Sequence, residues 1–176
     1  MNFALNFVAF QALWAANVVG AGHGYSLLGP LLLAAYLPVH FYLSHTRRQD
    51  LWLVLIAAVA GTLIDSAYAW AGWLDFHGFG LIPQVAPLWI TGLWINFVLT
   101  VNHSLSALQG KPLVAALLGA AGVPLAYWGG AALGAATLQP PLWLALGGIA
   151  LAWLIACPAL FETARWLNAR ASRKSA

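Results

Sequence analysis

Residues 94–109 read WINFVLTVNHSLSALQ. Most of this run suits a membrane interior, yet Asn96, Thr100, Asn102, His103, Ser104 and Ser106 lie inside it. How these polar groups are placed depends on what surrounds them, and composition decides that first. Of 176 residues, 62% are hydrophobic and only 6% charged. Soluble domains carry about 25% charged residues, so this chain lacks the groups to cover a water-facing surface. The expected class is an all-α, polytopic membrane helix bundle.

Other classes are excluded by simple counts. The single cysteine, Cys157, rules out an internal disulfide, a CxxC pair and a thiolate cage. The net charge of +3 comes from seven Lys and Arg residues confined to short loops and the C-terminal stretch. That pattern orients a membrane protein and builds no phosphate-binding face, so nucleic acid is not an expected partner. The first residues, MNFALNFVAFQALWAANVV, lack a basic n-region and an A-x-A-like site, and read as a retained helix.

A span needs about 20 apolar residues, and breaks fall where Gly, Pro and charge cluster. Six transmembrane helices result, over approximately 3–21, 25–44, 51–70, 87–108, 113–135 and 142–163, followed by a basic cytoplasmic tail, 164–176. In this arrangement Arg47, Arg48, Lys111, Arg165, Arg170, Arg173 and Lys174 all fall on one side, which predicts that both termini are cytoplasmic. Trp52 and Trp166 then mark the inner interface, and Trp70, Trp73, Trp89 and Trp143 the outer one. Gly122, Ala126, Gly130 and Gly134, at spacing four, predict a close-packing ridge on the fifth helix.

The opening run is therefore a helix, and its polar side chains need partners because a lipid-facing amide is costly. Trp89, Asn96, Thr100 and His103 share one face; Asn102 and Ser106 point elsewhere. A helix polar on more than one side is expected at the bundle's centre. By depth, Asn6, Tyr36, His40, Asn102 and His103 form an inner group. Asn17, Asp65, Tyr68, Trp89 and Tyr127 form an outer one, close to His23, Asp75 and His77.

Asp65 is the one acidic residue in the interior of these spans, with no Lys or Arg at its depth; Glu162 falls at the very end of the sixth. Histidine is a side chain able to change charge near neutral pH. Asp65 and His103 are the candidate catalytic acid or base. Asn6, Gln11, Asn96, Asn102, Tyr127 and Trp128 are the candidate ligand-binding residues, although buried amides also serve simply to tie helices together. His23, Asp65, Asp75 and His77 offer metal-ligand chemistry, but no HxxxH or HExxH spacing occurs, and no metal is expected. GxSxG, Walker A and GxGxxG motifs are absent, so no cofactor is expected either.

Four stretches, LNFVAFQALW (5–14), GTLID (61–65), PLWITGLWINFVLTVNHSL (87–105) and GVPLAYWGGAALGA (122–135), resemble a bacterial family of small multi-pass inner-membrane proteins whose label is a domain of unknown function. Asn-His-Ser-Leu and Pro-Leu-Ala-Tyr-Trp-Gly are the most specific parts of the likeness. The resemblance implies genes that often neighbour fatty-acid-modifying enzymes, including cyclopropane-synthase-like methyltransferases, and hence a role near lipid chemistry. Its motifs coincide with Asn6, Gln11, Asp65, Asn96, Asn102, His103, Tyr127 and Trp128. The expected function is binding or modification of a lipid or acyl chain in an intramembrane polar cavity, with membrane lipids as partners. The alternatives are a non-catalytic assembly partner of membrane enzymes and a small proton-coupled transporter, the latter needing a homo-oligomer to enclose a path.

Overall fold

The computed structural model describes residues 1–174. Six α-helices occur among them: α1 (Phe3–Gly22), α2 (Leu28–Leu43), α3 (Arg47–Trp70), α4 (Leu88–Val101), α5 (Pro112–Ala132) and α6 (Leu142–Lys174). Two three-residue strands, β1 (Leu74–Phe76) and β2 (Ala136–Leu138), pair antiparallel with Asp75 opposite Thr137. Four helices, α1, α3, α5 and α6, are long and apolar enough to cross a membrane. The apolar helices α2 and α4 are shorter, with 16 and 14 residues. At 1.5 Å per residue they measure about 24 and 21 Å.

Local signals set the helix ends. Asn2 caps α1 by accepting a hydrogen bond from Ala4 N at 2.9 Å, and Pro112 opens α5, where its missing N–H costs nothing. At the far ends, α3 and α5 stop alike. Gly72 and Gly134 take φ of +69° and +80°, and the next residue's amide reaches back five positions, Trp73 N to Tyr68 O and Ala135 N to Gly130 O. This left-handed glycine termination turns the chain sharply, and it delivers both segments into the β1–β2 ribbon.

α4 is the axis of the bundle. Nine of its 14 residues are buried, and it packs against α1, α2, α3 and α6. The central placement expected for this helix therefore holds. Its length does not: α4 stops at Val101, and residues 102–111 form turns around a short 3₁₀ segment, Ser106–Leu108. The helix predicted to 108 loses its last two turns: Asn6 and Gln109 take up backbone groups of Leu99, Val101 and Ser104, and the side chains of Asn102, His103 and Ser104 turn to side chains of other elements. Outward faces are mainly apolar, with Phe7, Leu31, Leu63, Leu117, Leu151 and Ile155 exposed.

Three further expectations change. α6 continues without a break through 164–174, the stretch read as a tail. Trp89 is buried and Trp73 half-buried, so both pack inside, whereas Trp52, Trp70, Trp143 and Trp166 are exposed. The small-residue ridge on α5 is displaced: a Cβ at Gly122 meets nothing within 4 Å, and Gly134 lies beyond the helix. The tight position is Gly119, where a Cβ would come 2.5 Å from Cys157 Cβ.

The closest approach between α3 and α4 is at Gly61, whose missing Cβ makes room for the Trp94 indole. Gly61→Leu is expected to destabilise the bundle by about 1–3 kcal/mol through overpacking, while Gly122→Leu leaves the unfolding midpoint unchanged. Thermal unfolding of the two variants in one detergent checks this difference.

Candidate functional site

The turn after α4 shows what the polar run does. Leu99 O accepts from Asn6 Nδ2 at 3.0 Å, Val101 O from Gln109 Nε2 at 3.0 Å, and Thr100 O from the amides of His103 and Leu105. These are carbonyls that a helix end leaves without partners. Asn6 Oδ1 in return accepts from Ser104 N and Ser104 Oγ, at 3.1 and 2.5 Å. Asn96 Nδ2 donates to Phe10 O at 2.9 Å. Asn6 and Asn96 thus join α1 to α4 with hydrogen bonds of the kind that tie membrane helices together. The hydrogen bonds that both make here are to the protein itself.

His103 turns toward Asp50, a residue of the first turn of α3 that the sequence reading left outside the spans. Asp50 and His40 are wholly buried side chains, and that of His103 is 5% exposed. His40 Nε2 and His103 Nε2 approach the same carboxylate oxygen, Asp50 Oδ2, at 3.2 and 3.0 Å. Ser44 Oγ donates to Oδ2 at 2.5 Å, and Asn102 Nδ2 and Thr46 Oγ1 donate to Oδ1 at 2.7 and 3.1 Å. The network continues through Asn102 Oδ1, which accepts from Gln109 Nε2 and from Asn168 Nδ2 of α6, both at 2.9 Å. The inner polar group therefore exists, gathered around an acid that was not expected in it.

The second acid, Asp65, is fully buried on α3. Trp94 Nε1 donates to its Oδ2 at 2.6 Å, and Tyr127 Oη donates to its Oδ1. The expected Tyr and Trp partners are present, so the carboxylate lies between α4 and α5. Beside it, Thr62 Oγ1 meets Thr91 Oγ1 at 2.7 Å, and Ser66 Oγ accepts from Ala86 N at 2.9 Å, closing the α3–α4 seam. Tyr68 of the outer group packs edge-on against Tyr127, with ring centroids 6.2 Å apart, while Trp89 and Asn17 take other partners. Trp89 Nε1 donates to His77 O at 2.9 Å, and Asn17 Nδ2 to Leu13 O of its own helix at 2.8 Å. His23, Asp75 and His77 are exposed, and His77 bonds to Gly134 O and Thr137 Oγ1 at the ribbon.

Along α4, from Phe97 out to Trp89 and the β1–β2 ribbon, lies an apolar cavity of about 140 Å³ whose wall includes Phe10, Trp14, Trp94, Phe97, Tyr127 and Trp153. Trp94 stacks on Trp153 with ring centroids 4.4 Å apart. Asp65 is not on the wall; its two donors, Trp94 and Tyr127, are. Trp153 Nε1 is buried with no hydrogen-bond partner among the described residues. The cavity is lined by aromatic rings where a polar lining was expected: the amides of Asn6, Asn96 and Asn102 are all consumed elsewhere. Of the remaining candidates, Gln11 and Trp128 are exposed on the outer surface and away from this wall.

Sequence reasoning missed Asp50, Ser44, Thr46, Trp94, Trp153 and Asn168. One signal was available: Thr46 precedes Asp50 by four residues at a helix start, the spacing that lets a hydroxyl and a carboxylate bond across the first turn. Trp94 and Trp153 are chemically unmarked among ten tryptophans.

Tyr127→Phe and Trp94→Phe each remove one donor from a buried carboxylate, and each is expected to destabilise by about 1–3 kcal/mol. In combination with Asp65→Asn the losses fall short of additivity, because all three changes act on one contact. Trp128→Phe, on the outer surface, serves as the near-neutral control. Unfolding titrations of the single and double variants measure the coupling.

No curated protein and no solved structure matches this chain. A family described as "Protein of unknown function (DUF2878)" matches residues 3–159, which include every residue that lines the cavity and all three residues of the His40, Asp50 and His103 group. The chain belongs to the DUF2878 family.

Proposed function

We propose that this protein is a six-span membrane protein that holds a lipid acyl or isoprenoid chain in the aromatic cavity between α1, α4, α5 and α6. The observation that carries the reading is the cavity itself: about 140 Å³, apolar, and walled by four tryptophans, Trp14, Trp89, Trp94 and Trp153. An apolar cavity near 150 Å³ stays dry and takes a benzene-sized group, so this one suits a short section of a hydrocarbon chain. The unpartnered Trp153 N–H supplies a donor for a ligand's ester, carboxyl or hydroxyl oxygen. Tyr127 is held in one orientation by Asp65, which makes Asp65 a positioning residue and leaves Tyr127 as the group a ligand meets.

The membrane setting follows from the same chain. α2 and α4 complete six spans with the four longer helices, and the Lys and Arg residues then gather on the side of the α2–α3 and α4–α5 turns and the end of α6. That side is cytoplasmic by the positive-inside rule, with both termini on it. The resemblance to bacterial inner-membrane proteins encoded near fatty-acid-modifying enzymes supports the bacterial cytoplasmic membrane as the location and membrane lipid as the ligand class.

Native mass spectrometry of gently extracted protein tests the proposal. One retained lipid species is expected in the wild type, with at least tenfold lower occupancy in Ala126→Phe, which fills the cavity from α5, and weakened retention in Trp153→Phe. Bare protein, a random sample of bulk phospholipid, or undiminished retention in Ala126→Phe would overturn it.

A further inference from the structure

Among the described residues, His40, Asp50 and His103 are the one group of three or more His, Cys, Asp or Glu side chains close enough together to hold a metal ion, with all ligand atoms within 4.8 Å of one another. We propose that this trio binds a single divalent transition-metal ion of the zinc class, at the end of the bundle opposite the β1–β2 ribbon. The site is separate from the aromatic cavity and rests on different residues.

Distance is the first support. Zinc-type ions sit about 2.0–2.2 Å from imidazole nitrogen and carboxylate oxygen, which places neighbouring ligands about 2.8–3.6 Å apart at right-angle to tetrahedral geometry. The spacings from Asp50 Oδ2 to His40 Nε2 and His103 Nε2 are 3.2 and 3.0 Å. Both imidazoles present the same nitrogen, Nε2, to the same oxygen. As neutral rings protonated at Nδ1 they would aim two lone pairs at a carboxylate lone pair, an arrangement that a cation completes.

Orientation is the second. Ligating carboxylates are fixed by hydrogen bonds on the oxygen that does not bind the metal. Asn102 Nδ2 holds Asp50 Oδ1 at 2.7 Å, which leaves Oδ2 toward the imidazoles, and Thr46 Oγ1 spans both oxygens at 3.1 and 3.2 Å. Ser44 Oγ lies 2.5 Å from Oδ2 and 3.4 Å from His103 Nε2, so a fourth oxygen donor stands beside the trio. The three ligands come from α2, from α3 and from the turn after α4, elements fixed by the packing of the bundle.

Charge is the third. A buried carboxylate in its charged form is stabilised by a paired charge or a metal ion. Arg47, the nearest basic residue in sequence apart from Arg48, is turned away: its Nε donates to Ser44 O at 3.1 Å and its Nη2 to Tyr42 O at 2.8 Å. Among the described residues the ion-pair partners of Asp50 are the two histidines alone. Two imidazoles and one carboxylate select zinc, iron or cobalt over magnesium or calcium, which prefer all-oxygen sites.

The test uses full-length protein in detergent, stripped with a chelator and dialysed against Zn²⁺, with metal measured per chain. One zinc per chain is expected, together with a higher unfolding temperature. His103→Gln and Asp50→Asn should weaken binding at least tenfold, while His77→Gln, an exposed imidazole at the ribbon, binds as the wild type. Should the first two variants fail to elute as folded protein, Co²⁺ on the wild type decides. Visible d–d bands of a four- or five-coordinate site, displaced by Zn²⁺, support the proposal. Absence of those bands, substoichiometric zinc in the wild type, unchanged binding in His103→Gln, or loss of binding in His77→Gln would overturn it and leave the trio as a hydrogen-bonded helix cap.

Discussion

The structure depends on one carboxylate accepting hydrogen bonds from three parts of the chain at once. Asp50 receives His40 from α2, Ser44 and Thr46 from the α2–α3 turn, and Asn102 and His103 from the turn after α4. Through Asn102 the same network reaches Asn168 on α6. In a bundle with an apolar exterior, water cannot stand in for a missing partner, so each polar group must find its counterpart on another element. Asp50 meets that requirement for four helices at one end, and the direction in which each helix leaves that end follows from it.

The other end is held differently. There the left-handed glycines Gly72 and Gly134 turn α3 and α5 into the β1–β2 ribbon, and backbone pairing does the joining. Between the polar end and the ribbon, α4 supplies Trp94 and Phe97 to the cavity wall while its amide Asn96 bonds backward to α1. One helix therefore separates two chemistries. Its polar side chains are spent on structure, and its aromatic ones enclose space. Asp65 stands at the boundary, holding a tyrosine and a tryptophan of the cavity wall in place from behind.

Much of this was legible in the sequence, and the exceptions share a cause. All six helices start within about four residues of the expected positions, because apolar runs broken by Gly, Pro and charge are a strong signal. The end of α4 was misplaced by seven residues, at Val101 where 108 was expected. Hydropathy does not distinguish an Asn-His-Ser that continues a helix from one that caps it, and the difference lies in partners nearly a hundred residues away, such as Asn6 for Ser104. The same limit explains Asp50. Next to Arg47 and Arg48 it reads as an interfacial charge, and only the approach of the turn after α4 buries it. Asp65 was legible because nothing near it in sequence offered an alternative to a side-chain partner. Tyr127 and Trp128 are adjacent and chemically similar, yet one faces the cavity and the other the outside; helical phase separates them, and the packing partner of α5 had to be known to choose.

The brevity of α2 has a consequence for the surrounding lipid. Its helical part spans about 24 Å, against a hydrocarbon thickness of about 30 Å, while α3 and α6 beside the bundle are amply long. α4 is shorter still but is enclosed by other helices, whereas α2 presents Leu28, Leu31, Leu32 and Val39 outward. In the proposed six-span arrangement, a bilayer meeting that flank thins locally to avoid hydrophobic mismatch and need not do so on the opposite flank. In that arrangement the molecule is a lopsided inclusion that deforms one side of its lipid annulus.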